Sequence, residues 1–181
     1  LQTLLNDFFE LSVIESVDFS LKLENLNIKS IVEETIINLY DKFSEKQTVP
    51  DIQMPKEIVS IKADESATKR VIENLISNAI KYSYRNIAII LEKSKTTVNL
   101  TISNDVENLT EKDVELLFDR FYMADKTRTG KGTGLGLSIA KSLMYKMNGQ
   151  LSAELKDAIS AYSYHPSATT YLETVTFMLR V

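Results

Sequence analysis

The sequence contains no cysteine, which excludes a disulfide scaffold and any metal site built from thiolates. It also has no apolar run of the length that a membrane span needs, and no signal peptide is visible. A formal net charge of −4 gives no general attraction to nucleic acid or to an anionic membrane. The 181 residues are therefore expected to form one domain, with or without an appendage.

Glycine is scarce as well, and four of the five glycines lie within the seven residues from Gly130 to Gly136. An apolar run with helical spacing follows at once. A glycine-rich loop that leads into a helix offers free backbone N–H groups and the positive end of the helix dipole to an anion. The stretch predicts a phosphate-binding loop, and a flexible surface loop with a helix cap is the alternative.

Two common phosphate-binding loops do not fit this stretch. Leu137 follows the last glycine, where a Walker loop has lysine and then serine or threonine. A dinucleotide-binding fingerprint follows a β-strand, whereas residues 119–129 are mostly polar and charged. The type of phosphate-binding loop must therefore be found from the rest of the chain.

A second polar feature lies on a helix predicted over residues 65–82, with Asp64 as its N-cap. At about 100° per residue, the helix has an apolar stripe and a separate polar stripe. The polar stripe consists of Asn74, Asn78, Lys81 and Tyr82. Amide oxygens are hard ligands of the kind that Mg²⁺ accepts. We interpret this stripe as part of a polar site; an exposed face with incidental asparagines is the alternative.

The predicted elements alternate irregularly between helices and strands. The predicted helices cover residues 1–16, 29–46, 65–82, 111–118 and a segment from the glycines to Asn148. The predicted strands are 24–28, a short segment between Pro50 and Pro55, 58–61, 87–92, 98–103, 150–155 and 174–181, and residues 104–110 are predicted to be a polar loop. This order favours an α+β fold, a two-layer α/β sandwich with a mixed, mostly antiparallel sheet and helices on one face.

The first predicted helix has one apolar seam and is too short to be stable alone. It is either the end of a longer helix that packs on a partner helix or a helix that packs on its own domain. The apolar pattern does not distinguish these two arrangements.

Three segments resemble motifs of sensor histidine kinases and occur in the order found there. Residues 73–83 resemble the N box, residues 118–122 the phenylalanine box and residues 132–140 the second glycine box. The resemblance covers residues 20–181 as a catalytic ATP-binding domain of the gyrase/Hsp90/histidine-kinase superfamily, with a Bergerat-type fold. Residues 1–19 resemble the end of the second dimerisation helix and a linker.

The resemblance implies an ATP site that contains Mg²⁺. Asn78 would bind the metal, with Asn74 nearby or as a second ligand, Lys81 would contact phosphate, and Tyr82 would cover the adenine or ribose. Residues from about 120 to 133 would form a mobile lid over the nucleotide, anchored by Phe118 and Phe121. The implied ATP-binding residues are Asn74, Asn78, Lys81, Tyr82, Asn104, Asp105, Arg120, Phe121, Tyr122, Lys131, Gly132, Thr133, Gly134, Leu135, Gly136, Leu137 and Thr174.

The chain departs from the family pattern at the first glycine box, which in the family reads Asp-x-Gly-x-Gly. Residues 104–108 read Asn-Asp-Val-Glu-Asn, so both glycines are replaced and Asn104 stands in the place of the aspartate that reads adenine. Its amide oxygen can accept a hydrogen bond from the exocyclic amine of adenine, although a neutral acceptor is weaker than a carboxylate. Asp105 is the second candidate for this role.

Two further departures concern charged and nucleophilic groups. Met123 stands where many relatives carry a basic residue directed at phosphate, so that Arg120, Arg128 or Lys131 would have to replace it. The histidine that accepts the phosphoryl group is absent from these residues. His165 lies outside any such motif and is expected to be a surface residue.

Asn74 bears on the reaction, because ATP-hydrolysing relatives carry a glutamate general base at that position. An amide cannot act as a general base at neutral pH, so phosphoryl transfer to a protein acceptor is favoured over hydrolysis. The resemblance implies a kinase that presents the γ-phosphoryl group to a histidine outside this chain. The alternatives are a degenerate regulatory or scaffold domain that binds ATP weakly, and an ATPase of the same superfamily.

The resemblance also implies the partners and the location of the protein. The partners would be ATP, the protein's own dimerisation domain in a homodimer, and a response regulator, with no nucleic acid. The chain would be a cytoplasmic fragment that is not itself inserted in a membrane, whereas the full-length protein would reside in the cell membrane.

Overall fold

The computed structural model describes residues 1–107, 109–124 and 132–156 in full, and the backbone alone of Asp157 and of residues 173–180. The helices are α1 Gln2–Glu15, α2 Ile28–Asn38, α3 Tyr40–Glu45, α4 Glu65–Tyr82, α5 Glu111–Leu116 and α6 Gly136–Lys146. The strands are β1 Glu24–Asn27, β2 Asp51–Gln53, β3 Ser60–Ala63, β4 Ile87–Lys93, β5 Val98–Val106, β6 Gln150–Asp157 and β7 Glu173–Arg180.

Five of the strands form one mixed sheet in the order β2-β4-β5-β7-β6. The β2–β4 pair is parallel, whereas the other neighbouring pairs are antiparallel. Strands β1 and β3 form a separate antiparallel ribbon. The architecture confirms the α+β fold with a mixed, mostly antiparallel sheet.

Helix α4 is the central helix, and its sequence explains both its start and its packing. The Asp64 side chain accepts a hydrogen bond of 2.9 Å from Ala67 N and thus caps the helix. The residues of its apolar stripe are buried and pack in the core with β5 and α6. The predicted stripe comprises Ile72, Leu75, Ile76, Ala79 and Ile80, all of which are buried, as is the neighbouring Val71. The polar stripe is consequently held at the edge of the core.

Several predicted element boundaries change in the structure. The helix predicted over 29–46 is two helices that meet at Leu39, and both Leu39 and Phe43 are buried. The break between α2 and α3 lets both side chains reach the core. The strand predicted at 58–61 begins and ends two residues later, because the pairing of β1 with β3 places Asn27 opposite Ser60.

The predicted polar loop at 104–110 is wrong for its first three residues. Asn104, Asp105 and Val106 continue β5 and are buried. Buried polar residues are tolerated when their hydrogen bonds are satisfied. Asp105 meets this condition, because backbone N–H groups of residues 84–86 donate to its carboxylate.

Helix α1 packs against α6 with one face and exposes another. Leu11 and Ile14 are buried, whereas Leu5, Phe8 and Phe9 are exposed. Of the two predicted arrangements, packing of α1 on its own domain is therefore present, and an apolar face stays uncovered. The domain boundary near residue 20 stays a prediction. Within the described residues, no helix has the length and hydropathy needed to cross a membrane.

Candidate functional site

The polar stripe of α4 faces the start of α6. Asn74 is half-buried, and a Cβ atom placed on Gly136 would lie 3.4 Å from Asn74 Oδ1. Gly136 is the first residue of α6, whose N-cap residue Leu135 provides no side-chain hydrogen bond to the helix. Asn78 lies one helical turn after Asn74 and is also half-buried, and its side chain has no hydrogen-bond partner in the described part of the chain. Amide side chains and the N-terminus of α6 therefore border the same space.

Lys81 and Tyr82 lie beside the glycine loop. A Cβ atom on Gly132 would collide with Lys81 Nζ and would lie 3.6 Å from the hydroxyl of Tyr82. Lys81 Nζ is also 4.7 Å from the centroid of the Tyr82 ring. Among the described residues, Lys81 has no carboxylate partner, so its charge is available to an anion at Gly132.

Gly134 joins the glycine loop to the phenylalanine segment. Its φ is +69°, and a Cβ atom there would lie 2.7 Å from the backbone of Phe121. Phe121 N donates a hydrogen bond of 2.9 Å to Gly134 O. Phe121 itself has a φ of 62° and an exposed side chain. This close approach of two backbones requires glycine at position 134.

The start of α6 is anchored in the core. Leu135 is fully buried, and its N–H donates to Thr133 Oγ1 at 3.3 Å. Ser138 is buried, and its hydroxyl donates to Leu135 O at 2.8 Å. Leu137 is half-buried and packs on the core. The side chains that follow the glycines thus fix the position of the helix N-terminus, where backbone N–H groups attract anions.

Two amide side chains, those of half-buried Asn74 and of buried Asn104, each have one buried atom without a hydrogen-bond partner in the described structure. These atoms are Asn74 Nδ2 and Asn104 Oδ1. An unsatisfied buried polar atom costs about 1–3 kcal/mol, so it is rarely found where no ligand or water satisfies it. Asn104 is completely buried and uses Nδ2 to donate to Asp105 O at 3.2 Å, which leaves its oxygen free as an acceptor.

The Asp105 carboxylate is occupied by hydrogen bonds from its own protein. Its carboxylate accepts hydrogen bonds of 2.9 Å from the backbone N–H groups of Tyr84, Arg85 and Asn86, and a further bond of 2.9 Å from Asn86 Nδ2. These bonds fix the segment that connects α4 to β4. Asp105 is therefore a poor second candidate for reading adenine, and the free acceptor belongs to Asn104. Thr174 pairs with Asp105 in the register of β5 and β7.

The phenylalanine segment is fixed by contacts with its neighbours. Tyr122 donates to the Asp113 carboxylate, which also forms a capping box with Thr110 at the start of α5. The bond to Asp113 raises the pKa of Tyr122 to about 12. The bonds from Thr110 and then from Tyr122 hold the pKa of Asp113 below its usual value. The Phe118 ring is half-buried, with Lys141 Nζ 4.7 Å from its centroid.

Two predicted site residues contact α1 instead of open space. Thr133 donates to Asp7 Oδ2 at 2.7 Å, and Arg120 pairs with Glu15. These acidic partners lie more than 100 residues away along the chain, and no sequence motif indicates them. Arg128, Lys131 and His165 lie outside the described residues, as does Gly130.

The donors present fit a hard metal ion bound together with phosphate. No group of three or more His, Cys, Asp and Glu side chains in the described residues could hold a metal. The amides of Asn74 and Asn78 offer oxygen atoms that such an ion accepts, and Mg²⁺ typically takes few protein ligands and shares substrate phosphates.

Comparison with known proteins identifies the family. Residues 63–180 match the family model for histidine kinase-, DNA gyrase B- and HSP90-like ATPases. The chain belongs to this family. It is an ATP-binding domain, and the resemblance to the catalytic domains of sensor histidine kinases is confirmed.

Curated relatives include sensor histidine kinases of Bacillus subtilis. YcbM is 31% identical over 157 residues, which are 84% of this chain and 50% of that protein. WalK is 31% identical over 157 residues, which are 83% of this chain and 26% of that protein. The chain therefore spans half or less of the length of these relatives.

Solved structures support the fold. Full-length ShkA in complex with AMPPNP has a TM-score of 0.79 at 16% identity, over 99% of this chain and 35% of that one. The catalytic domain of the histidine kinase ThkA has a TM-score of 0.70 at 21% identity, over 89% of this chain and 95% of that one.

Proposed function

We propose that this chain is the catalytic domain of a sensor histidine kinase, which binds Mg²⁺-ATP and presents its γ-phosphoryl group to a histidine outside these residues. The observation that carries the proposal is the pair of amides, Asn74 and Asn104, that each have one buried atom without a hydrogen-bond partner in the described structure. One lies beside the glycine loop and the other lies in β5. A nucleotide offers phosphate oxygens and an exocyclic amine, and therefore offers groups that suit both amides.

The phosphates would bind at the glycine loop. Lys81 supplies a positive charge next to Gly132, and the N-terminus of α6 supplies backbone N–H groups. Arg120 is a less direct candidate because it is paired with Glu15. Charge neutralisation and positioning account for most of the catalysis of phosphoryl transfer, and both are properties of such a site.

Asn78 would hold Mg²⁺, with Asn74 nearby or as a second ligand. The metal ion would neutralise charge on the phosphate oxygens. The two amides project from one side of α4, one helical turn apart, and are held there by the buried stripe of the same helix. At the other end of the site, Asn104 would accept a hydrogen bond from the exocyclic amine of adenine, and Tyr82 would cover the adenine or ribose.

Transfer is favoured over hydrolysis because the site has no general base at position 74. Glu73, the neighbouring carboxylate on α4, is exposed to solvent rather than directed into the site. The acceptor would be a histidine on the dimerisation domain of a homodimer, followed by a response regulator. One matched structure is described as ThkA in complex with the response regulator TrrA. Residence of the full-length protein in the cell membrane belongs to the same proposal.

Calorimetric titration with AMPPNP, with and without Mg²⁺, tests the role of Asn78. The Asn78→Ala variant should lose most of the Mg²⁺-dependent increase in affinity, because it removes the amide oxygen. Asn38→Ala is a matched control, since Asn38 is an exposed asparagine at the end of α2. Equal Mg²⁺ dependence in Asn78→Ala and in the wild type would contradict the assignment.

Phosphate release distinguishes a kinase from an ATPase. The wild-type chain should release little phosphate from ATP, because its site lacks a general base. Steady release that Asn78→Ala abolishes would contradict the kinase proposal and favour an ATPase of the same superfamily.

A further inference from the structure

An acidic side chain of α1 is bonded to the glycine loop. Thr133 Oγ1 donates to Asp7 Oδ2 at 2.7 Å. The Asp7 side chain is 14% exposed, so water screens its charge only partly. The contact links residues 126 positions apart. A helix that precedes the ATP-binding domain therefore contacts the loop that the phosphates would approach.

A cation on α4 holds Asp7 in place. Arg70 Nη2 donates to Asp7 Oδ1 at 2.9 Å and to Glu10 Oε2 at 2.6 Å. Arg70 Nε also donates to Glu10, at 2.9 Å. One guanidinium thus faces two carboxylates, so the cluster keeps an excess of negative charge close to the glycine loop.

The Thr133 hydroxyl links this negative charge to the start of α6. Leu135 N donates to Thr133 Oγ1, and Thr133 donates its only hydroxyl hydrogen to Asp7. The same hydrogen cannot also be donated to a phosphate oxygen. A carboxylate near this helix N-terminus also repels a second anion that approaches it.

A second acidic residue of α1 also binds a candidate ligand of the phosphates. Arg120, which the sequence suggests as a cation for phosphate, pairs with Glu15 at the end of α1. Both side chains are substantially exposed, so this ion pair contributes little by itself. Together, Asp7 and Glu15 bind two residues that the family resemblance assigns to the nucleotide site.

We propose that Asp7 is a positioning residue that holds Thr133 away from the nucleotide, so that docking of α1 on the glycine loop opposes binding of the triphosphate. The proposal rests on the proposed function, because it requires that the site binds ATP. The coupling is reciprocal: release of α1 strengthens nucleotide binding, and nucleotide binding loosens α1.

The Asp7→Asn variant tests the coupling, because it removes the charge and keeps the shape. Its affinity for AMPPNP, measured by calorimetry, should rise about fivefold, at the lower end of typical couplings between two sites. Its affinity for adenosine, measured by NMR titration, should stay unchanged, because adenosine has no phosphate. Asp41→Asn makes the same chemical change at an exposed position of α3 and should alter neither affinity.

A double-mutant cycle assigns the effect to the Thr133 hydroxyl. In a Thr133→Val background, Asp7→Asn should change AMPPNP affinity by much less than it does in the wild type. An effect of Asp7→Asn that persists at full size in that background would overturn the role of Thr133.

Hydrogen exchange tests the reciprocal effect without any substitution. AMPPNP should increase the exchange of backbone amides in α1 of the wild-type chain, while the amides in the centre of α4 stay protected. Unchanged or increased protection of α1, or an Asp7→Asn variant that binds AMPPNP no more tightly, would overturn the inference. Failure of the wild type to bind AMPPNP would instead overturn the proposed function itself.

Discussion

The two ends of the candidate ATP site differ in how strictly they constrain their residues. At the phosphate end, Gly132, Gly134 and Gly136 each lie close to a neighbouring group. At the adenine end, the family's glycines are replaced, and Val106 continues β5 in a buried position. We propose that the backbone must come close to its surroundings at the phosphate end, whereas the adenine end requires mainly one acceptor atom. Different residue types can supply that acceptor, so this end tolerates more change.

The geometry explains the contrast. Gly134 has a positive φ and touches the backbone of Phe121, and neither condition suits an L-residue with a side chain. Val106 lies opposite Glu173 in the antiparallel pairing of β5 with β7. A β-branched residue suits an extended strand, so valine there replaces a flexible turn residue with a residue of the sheet.

Gly134→Ala should have the largest effect at the phosphate end. The added methyl group would displace the Phe121 backbone, and we expect AMPPNP affinity to fall about a hundredfold because the loop is misplaced. Strain at the positive φ should lower the free energy of unfolding by about 1–3 kcal/mol. Calorimetry and chemical denaturation measure the two effects.

Gly136→Ala is the comparison for this change, since its Cβ atom would be at 3.4 Å from Asn74 Oδ1 and its φ is not positive. It should change the free energy of unfolding by less than about 1 kcal/mol. Equal losses of unfolding free energy in the two variants would show that position 134 requires glycine no more strictly than position 136 does.

Val106→Gly restores the residue type of the family pattern and tests the tolerance of the adenine end. Removal of the buried side chain should lower the free energy of unfolding by about 2–4 kcal/mol, from lost burial and from glycine's flexibility in a strand. AMPPNP affinity should stay within about twofold of the wild type, because a hydrogen bond to adenine does not depend on this side chain. A large gain in affinity would show that replacement of the family's glycine by valine had weakened the site.

Asn104→Leu should separate function from stability. The variant removes the free acceptor, and AMPPNP affinity should fall about tenfold, as expected for one lost hydrogen bond. The free energy of unfolding should be unchanged or higher by about 1 kcal/mol, because a buried unsatisfied oxygen is gone. Asn99→Leu, on the same strand, is the control and should leave the affinity unchanged. Unchanged affinity in Asn104→Leu would exclude Asn104 as the adenine acceptor.

Local patterns predicted the parts of the fold that depend on neighbouring residues. The limits of α4 follow from Asp64 as its cap and from its apolar spacing, and the structure reproduces residues 65–82. The glycines and the asparagine stripe were likewise recognisable from short segments. The polar composition of residues 104–106 concealed a strand, because the bonds that satisfy Asp105 come from a segment 20 residues earlier.

Contacts between distant parts of the chain could not be predicted. Thr133 was assigned to the nucleotide from its motif, yet its hydroxyl bonds to Asp7. Nothing in the pattern of α1 distinguishes Asp7 from an ordinary exposed carboxylate. Such a contact depends on how α1 docks on α6, which the sequence of α1 alone does not determine.

One measurement tests most directly whether the two ends form a single ATP site. In a calorimetric titration with Mg²⁺ present, the wild-type chain should bind AMPPNP at one site. The guanine analogue GMPPNP should not compete at equal concentration, because guanine presents an oxygen where adenine presents the amine from which Asn104 would accept a hydrogen bond. No binding of AMPPNP at millimolar concentration, or equal binding of the two nucleotides, would contradict this account.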